Sequence, residues 1–171
     1  MAEIKKVRKW FWAWSDQREE VWLQKMAQEG WQLERYSWFT YYFKATSPTK
    51  LVYRLDYQIG LQNQEYFQLF EDDGWEYVTG FGGWLYFCKE SDGSDKLEIY
   101  SDSVSRAYKY VKVANFVLFI LLMQLFAWLP LSAAMPESLW VVALFSPIYI
   151  VGIIGIYLLR NKAKKLKEYQ I

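Results

Sequence analysis

The sequence contains no histidine and only one cysteine, Cys88. Histidine is the commonest general base and metal ligand, so its absence excludes the Ser-His-Asp and Cys-His arrangements. A single cysteine forms neither an intrachain disulfide nor a thiolate metal cage, and an unpaired thiol is typical of a reducing compartment. We therefore expect no metal site, no cofactor and no catalytic residues.

The chain also lacks an excess of charge of either sign. Lysine and arginine together number 20, aspartate and glutamate number 19, and the formal net charge is +1. Such a balance gives no overall field that would attract nucleic acid, so we expect no nucleic-acid partner. The distribution is uneven, because the acidic residues end at Asp102 apart from Glu137 and Glu168. The N-terminal residues contain no apolar segment that would predict a cleavable signal peptide.

Two long apolar segments cover residues 113–131 and 139–159. Each has about the ~20 residues that are needed to cross a hydrocarbon core of roughly 30 Å. We therefore predict a transmembrane hairpin within residues 103–171 and a lipid bilayer as partner. The helix of the first span is expected to begin at Asp102 or Ser103 and to enter the membrane without a break.

Basic residues lie at one end of this predicted hairpin. The loop between the spans carries Glu137 and no lysine or arginine, whereas Arg106, Lys109 and Lys112 precede the first span. The positive-inside rule then predicts a multi-pass protein of the bacterial cytoplasmic membrane with both termini in the cytoplasm. The basic tail is interpreted as a topology signal, with binding of anionic lipid headgroups as a second role. It comprises Arg160, Lys162, Lys164, Lys165 and Lys167.

A tandem repeat organises the N-terminal part of the sequence. Gly30-Trp31 recurs as Gly74-Trp75, and Tyr42-Phe43 recurs as Tyr86-Phe87 at the same offset without a gap. We interpret this as a duplication over residues 7–45 and 51–89. The predicted fold is α+β, an antiparallel sheet with two helices from a tandem β-α-β-β repeat, forming a cytoplasmic domain over residues 1–102.

Hydrophobic periodicity and turn residues give the expected elements of each copy. In the first copy we predict strands at 7–14, 31–36 and 40–45. Its helix should begin at a capping box of Asp16 with Glu19 and end at Gly30. In the second copy we predict strands at 51–59, 75–79 and 84–89, and a helix at 62–73 that ends at Gly74. A last short strand is expected at 97–100.

Three tryptophans supply the candidate binding surface. Trp10, Trp12 and Trp14 alternate, so on a strand they share one face. Their counterparts in the second copy include Arg54 and Asp56, whereas the other face is apolar in both copies and predicts a core of Phe11, Ala13, Leu55 and Tyr57. Exposed aromatic residues in a row mark an interaction site. The alternatives are that the chain folds over this face or that a second copy of the protein packs on it.

The sequence also resembles a known family at four segments. They are Lys9-Trp10-Phe11, Met26 to Trp31, Tyr53 to Tyr57 and Phe70 to Glu76. With the two Gly-Trp motifs and the apolar hairpin, these segments resemble the DUF2812 family of uncharacterised bacterial membrane proteins over roughly the whole chain. The resemblance implies membrane association. It carries over no catalytic residue, because the family has no established activity.

These observations favour a membrane-anchored cytoplasmic binding or regulatory module without catalysis. The alternative is a small accessory subunit of a membrane protein complex, assembled through the hairpin, so that a protein partner or a homo-oligomer is expected. A carboxylate-dependent membrane-bound hydrolase is a third alternative, since Asp72-Asp73 and Asp92 with Asp95 supply paired acids. Their positions at a helix end and in a turn are those of ordinary solvated carboxylates.

Overall fold

Short antiparallel strands and two helices make up the first part of the chain. The computed structural model describes residues 3–60, 64–91, 93, 98–100, 103–134 and 139–168. The chain forms two compact units, Met1–Ser101 and Asp102–Ile171. The first unit contains β1 (Ile4–Arg8), α1 (Asp16–Gln28), β2 (Trp31–Ser37), β3 (Thr40–Ala45), β4 (Leu51–Tyr57), α2 (Gln64–Asp72), β5 (Glu76–Phe81) and β6 (Trp84–Glu90).

The β-α-β-β order occurs twice, and each occurrence forms its own sheet. The strand orders are β1-β3-β2 and β4-β6-β5, and all pairings are antiparallel. The same register shift interrupts the middle strand, in chain order, of each β-α-β-β segment: between Leu33 and Arg35 in β2 and between Tyr77 and Thr79 in β5. These pairs lie at the offset of the Gly-Trp motifs. The predicted α+β class is confirmed, with the six strands divided between two three-stranded sheets.

Helix α1 and both sheets share one hydrophobic core. It contains residues of α1, of the first sheet and of the second sheet: Leu23, Met26, Ala27, Leu33, Tyr41, Phe43, Leu51, Tyr53, Leu55, Tyr86 and Cys88. Successive side chains of a strand point to opposite faces, so Leu85 and Phe87 of β6 instead join Phe70 and Trp75 in a second core. The second sheet is therefore covered on both faces, which explains why β6 is apolar at consecutive positions.

The predicted strand at 7–14 is wrong beyond Arg8. Strand β1 pairs with β3 as far as Arg8 opposite Thr40, where β3 begins, so no partner strand remains for the following residues. The backbone N–H of Lys9 donates to the carbonyl of Phe39, and a 3₁₀ turn at Ala13–Ser15 leads into α1. Of the predicted core residues, Leu55 and Tyr57 are buried, Phe11 packs against the first core as a partly buried residue, and Ala13 lies in the turn.

The predicted capping box is also wrong. Ser15 occupies the N-cap position without a side-chain cap hydrogen bond, and Asp16 is the first residue of α1. The Glu19 carboxylate points to two tyrosines instead of the helix start. By contrast, Gly30 and Gly74 adopt the expected left-handed conformation after each helix, with φ of 85° and 79°. Residues 98–100 form no strand, and Leu97, Asp92 and Asp95 lie outside the described residues.

The second unit consists of two long helices, α3 (Ser103–Ala134) and α4 (Leu139–Glu168). Their segments Ser103–Trp128 and Leu144–Glu168 are long and apolar enough to cross a membrane, with mean hydropathies of 1.9 and 1.5. The two helices pack antiparallel. The Trp128 and Phe145 rings lie 5.2 Å apart, and the Lys162 ammonium lies 4.5 Å from the Tyr110 ring. A Cβ at Gly152 would come within 2.9 Å of Leu121, so this glycine permits close helix contact.

Candidate functional site

The three predicted site tryptophans lie together in the segment between β1 and α1. The Trp12 and Trp14 rings stack at 4.9 Å, and Trp10 meets Trp12 edge-on at 5.3 Å. Trp10 is 53% exposed and Trp12 is 44% exposed, whereas Trp14 is partly buried. Trp10 also stacks on Phe39 at 4.4 Å. The tryptophans thus form an exposed aromatic cluster, although ring stacking rather than strand alternation brings them together.

The β2–β3 turn adds two aromatic residues to this surface. Trp38 and Phe39 both have positive φ, 44° and 62°, and are 72% and 41% exposed. A left-handed conformation costs a residue other than glycine roughly 1–2 kcal/mol, and Asn-Gly is the preferred pair in such a turn. Neither residue was among the predicted site residues. The available signal was an aromatic pair among the three residues between the predicted strands.

A cavity of about 240 Å³ borders this cluster, and we term it the aromatic cavity. The exposed residues Trp12, Phe39 and Gly82 belong to its lining, so they mark where it meets solvent. Its lining contains seven aromatic side chains and two carboxylates. The lining residues are Phe11, Trp12, Ala13, Asp16, Glu19, Tyr36, Phe39, Phe81, Gly82, Trp84 and Tyr86.

Both carboxylates of the aromatic cavity come from the first turn of α1 and are buried. Asp16 is 1% exposed and Glu19 is 6% exposed. Glu19 Oε1 accepts hydrogen bonds from the hydroxyls of Tyr41, at 2.6 Å, and of Tyr86, at 2.7 Å. Burial raises the pKa of Glu19 above its ordinary value; the two tyrosine hydrogen bonds oppose this rise, and the charge of Asp16 adds to it.

The tyrosines that contact Glu19 act as neutral hydrogen-bond donors. Burial and the nearby Glu19 charge raise the pKa of Tyr41 and of Tyr86 far above the ordinary value for tyrosine. Tyr36 lies beside both, with ring separations of 4.5 Å from Tyr41 and 5.5 Å from Tyr86, and burial raises its pKa as well. The cavity therefore holds phenol groups that donate hydrogen bonds rather than phenolates that would act as bases.

Arg54 and Asp56 do not join the tryptophans. Arg54 forms ion pairs with Glu20, at 3.7 Å, and with Glu98, at 3.4 Å. Asp56 is fully buried, and its Oδ2 accepts hydrogen bonds from Tyr66 at 2.6 Å and from Gln58 at 2.9 Å. Both residues thus take part in polar networks around β4. The prediction that they share a surface with the three tryptophans is wrong.

The basic tail contributes to a separate cavity of about 360 Å³ in the second unit. Arg160, Lys164 and Lys167 line it from α4, and Asn115 lines it from α3. Lys162 instead faces Tyr110, while Lys165 is exposed. Lys164 also pairs with Glu168 at 3.7 Å. Three of the five predicted cations therefore come together in an arrangement that suits an anionic group.

Among the described residues, the other acidic pairs form neither a catalytic site nor a metal site. Asp72 and Asp73 are exposed at the end of α2, and Asp73 accepts a hydrogen bond from the Trp75 indole at 3.1 Å. Within the described part of the chain, no cluster of three or more potential metal ligands occurs. Cys88 is buried, and burial raises the pKa of its thiol to about 12. It is therefore poorly suited to act as a nucleophile.

A family model described as protein of unknown function (DUF2812) matches residues 15–122. The chain belongs to the DUF2812 family. The matched range begins just before α1 and includes Asp16 and Glu19, and it ends inside α3. It leaves out Trp10, Trp12 and Trp14, so the DUF2812 match covers the acidic part of the aromatic cavity but not the tryptophan cluster. No curated protein and no solved structure matches the chain.

The raised pKa of Glu19 predicts a pH-dependent stability. An acid whose pKa is higher in the folded state stabilises that state when protonated, so its contribution is complete below 4.5 and is lost as pH rises through the folded pKa. Within that window the expected slope is about 1.4 kcal/mol per pH unit. Glu19→Gln, which keeps an acceptor oxygen for the tyrosines, should flatten the slope.

The measurement is urea unfolding of the full chain in detergent micelles, followed by near-ultraviolet circular dichroism from pH 4 to 8. Glu71→Gln, at an exposed position on α2, is the matched control and should keep the parent slope. Equal slopes in Glu19→Gln and the parent would contradict the assignment.

Proposed function

We propose that this protein is a membrane-anchored binding module that takes up a small ligand in the aromatic cavity and catalyses no reaction. The observation that supports this proposal is the cavity itself, in which Asp16 and Glu19 lie buried among aromatic rings. Ligand sites are typically concave and mostly apolar, with a few placed polar groups. The cavity has this character, and its volume suits a small molecule.

The chemistry of the lining favours binding over catalysis. The Glu19 oxygen that would accept a substrate proton already accepts two tyrosine hydrogen bonds. Burial keeps Tyr41 and Tyr86 protonated, so neither supplies a phenolate. A hydrolase would need an activated nucleophile or water beside these acids. Groups held in this way are suited to orient a ligand rather than to transform it.

In this proposal the tryptophan cluster forms the entrance to the aromatic cavity. Trp12 and Phe39 belong both to the exposed cluster and to the cavity lining. Trp10 and Trp14 do not line the cavity, but they pack against Trp12 and Phe39 and so hold the rings of this entrance in place. The three tryptophans predicted as a binding surface thus become the outer part of one site whose inner part is acidic.

The two apolar helices serve as the anchor. The antiparallel packing of α3 on α4 brings Lys162 next to Tyr110, so the basic segments at the start of α3 and the end of α4 lie at the same end of the pair. By the positive-inside rule, that end faces the cytoplasm. We infer a multi-pass protein with both termini in the cytoplasm, where the basic tail contacts anionic lipid.

The orientation predicts the outcome of reporter fusions. Fusions at Met1 and at Ile171 should both report the cytoplasm, because the N-terminal unit precedes the basic start of α3 and Ile171 follows the basic end of α4. A reporter inserted between residues 133 and 137 should report the outside. The measurement is paired enzyme reporters that are active on opposite sides of the membrane. A cytoplasmic signal from the inserted reporter would contradict the orientation.

The binding proposal predicts that the tryptophan cluster can be removed without unfolding the chain. Replacing Trp10, Trp12 and Trp14 with serine should leave the melting of the full chain in micelles close to that of the parent, since Trp10 and Trp12 are exposed. Trp75→Ala is the contrasting variant. Trp75 is 1% exposed, and such a core truncation costs about 3–5 kcal/mol.

Binding is read by fluorine NMR of fluorotryptophan-labelled protein. The probes are three small molecules of matched shape: choline, its neutral carbon isostere, and the carboxylate of the same skeleton. At least one should shift the Trp84 resonance in the parent, leave that of Trp75 unchanged, and bind more weakly in the triple variant. If none of the three shifts Trp84, or if the triple variant unfolds as readily as Trp75→Ala, the proposed site is wrong.

A further inference from the structure

The lining of the aromatic cavity combines negative charge with aromatic faces. We propose that its ligand is a small organic cation with an alkylated ammonium group. The proposal rests on the proposed function, since it assigns a ligand class to the same site. It is carried by three properties of the lining: the orientation of the rings, the sign of the charge, and the size of the cavity.

The rings surround the cavity from different directions. Tyr36 meets Phe81 almost perpendicularly, at 5.8 Å and 88°, and is inclined by 47° to Tyr86 at 5.5 Å. Trp84, from β6, and Trp12, from the segment before α1, complete the walls. The face of an aromatic ring is electrostatically negative and attracts cations within about 6 Å, and cages of such rings recognise alkylated ammonium groups.

The charge of the lining has one sign. Asp16 and Glu19 are its charged residues, and the described lining contains neither lysine nor arginine. Opposite charges attract each other more strongly in a site shielded from water than in bulk solvent. An ammonium ligand would supply positive charge to both acids. A ligand that carries a carboxylate or phosphate would meet repulsion.

One ring of the cavity lining already contacts an ammonium group of the chain itself. The Lys9 ammonium lies 5.1 Å from the Phe11 ring and 4.3 Å from the Trp22 ring. Phe11 also lines the aromatic cavity. Phe11 therefore contributes to one ammonium contact within the chain, and the aromatic cavity offers further ring faces to a ligand.

The size and hydrogen bonding of the cavity distinguish an organic cation from a metal ion. A volume of about 240 Å³ is far larger than a bare cation needs. Calcium takes six to eight oxygen ligands, whereas two carboxylates line the cavity and Glu19 Oε1 already accepts two hydrogen bonds. An alkylammonium group needs no coordinating oxygens, because its charge is spread over a surface that the rings can contact.

The experiment compares choline with its neutral carbon isostere, in which a tert-butyl group replaces the trimethylammonium group. The full chain in micelles carries fluorotryptophan, and the Trp84 resonance reports occupancy. Choline should bind at least about tenfold more tightly than the isostere, which is the magnitude expected of a partly desolvated cation–π site. The matched carboxylate should give no shift.

Variants of the two acids test whether their charges cause the preference for choline over the isostere. Asp16→Asn and Glu19→Gln should each weaken choline binding about tenfold and leave the affinity for the isostere nearly unchanged. Glu71→Gln, an exposed acid on α2, should bind choline like the parent. Circular dichroism of each variant verifies that it is folded.

The outcomes separate this proposal from the proposed function. Equal or tighter binding of the isostere, or binding of the carboxylate, would overturn the cation proposal while leaving a ligand site in the cavity. Choline binding that neither Asp16→Asn nor Glu19→Gln weakens would also overturn it. The absence of any Trp84 shift with all three probes would remove both proposals.

Discussion

One carboxylate joins helix α1 to both sheets of the N-terminal unit. Glu19 lies on α1, Tyr41 lies on β3 of the first sheet, and Tyr86 lies on β6 of the second sheet. Both hydroxyls donate to the same oxygen, so the helix and both sheets meet at a single buried acid. Charge-assisted hydrogen bonds of this kind are stronger than neutral ones, and they offset part of the cost of burying the carboxylate.

The position of this acid also determines where the cavity forms. The hydrogen bonds draw Tyr41 and Tyr86 toward Glu19 in the first turn of α1, and Tyr36 packs beside both tyrosines. The segment before α1 must then pass from the end of β1 to Asp16 across this region, and it carries Trp12 and Phe11 to the cavity lining. A fold-stabilising interaction and a candidate ligand site therefore share the same side chain.

Periodicity and the internal repeat predicted most of the regular structure. The helix-ending glycines, the β2–β3 hairpin and the long continuous α3 are where the local sequence indicated them. The repeat failed for the tryptophans because it treated the first strand as long as β4. The length of β1 is limited instead by its partner β3, which begins at Thr40. Pairing between distant segments decides such boundaries, and no local pattern records it.

Only part of the candidate site could be predicted, because contacts between distant segments also determine its lining. Asp16 and Glu19 fit the pattern of a helix cap, yet tertiary contacts with Tyr41 and Tyr86 take Glu19 into the core. Trp38 and Phe39 lie in the predicted turn between two strands, but nothing local to that turn indicates that Phe39 stacks on Trp10 of a distant segment. Arg54 and Asp56 occupy the expected strand but are enclosed by Glu20, Glu98 and Tyr66.

If the Glu19 carboxylate forms the polar part of a cation-binding cavity, a bound cation must change the pKa of this carboxylate. Carbon NMR of the full chain, labelled at the glutamate carboxyl groups and assigned with Glu19→Gln, gives the Glu19 pKa with and without choline. A cation beside Glu19 and Asp16 favours the ionised form, so choline should lower this raised pKa, and its neutral isostere should leave it unchanged. An unchanged Glu19 pKa in saturating choline would show that no cation binds beside this carboxylate.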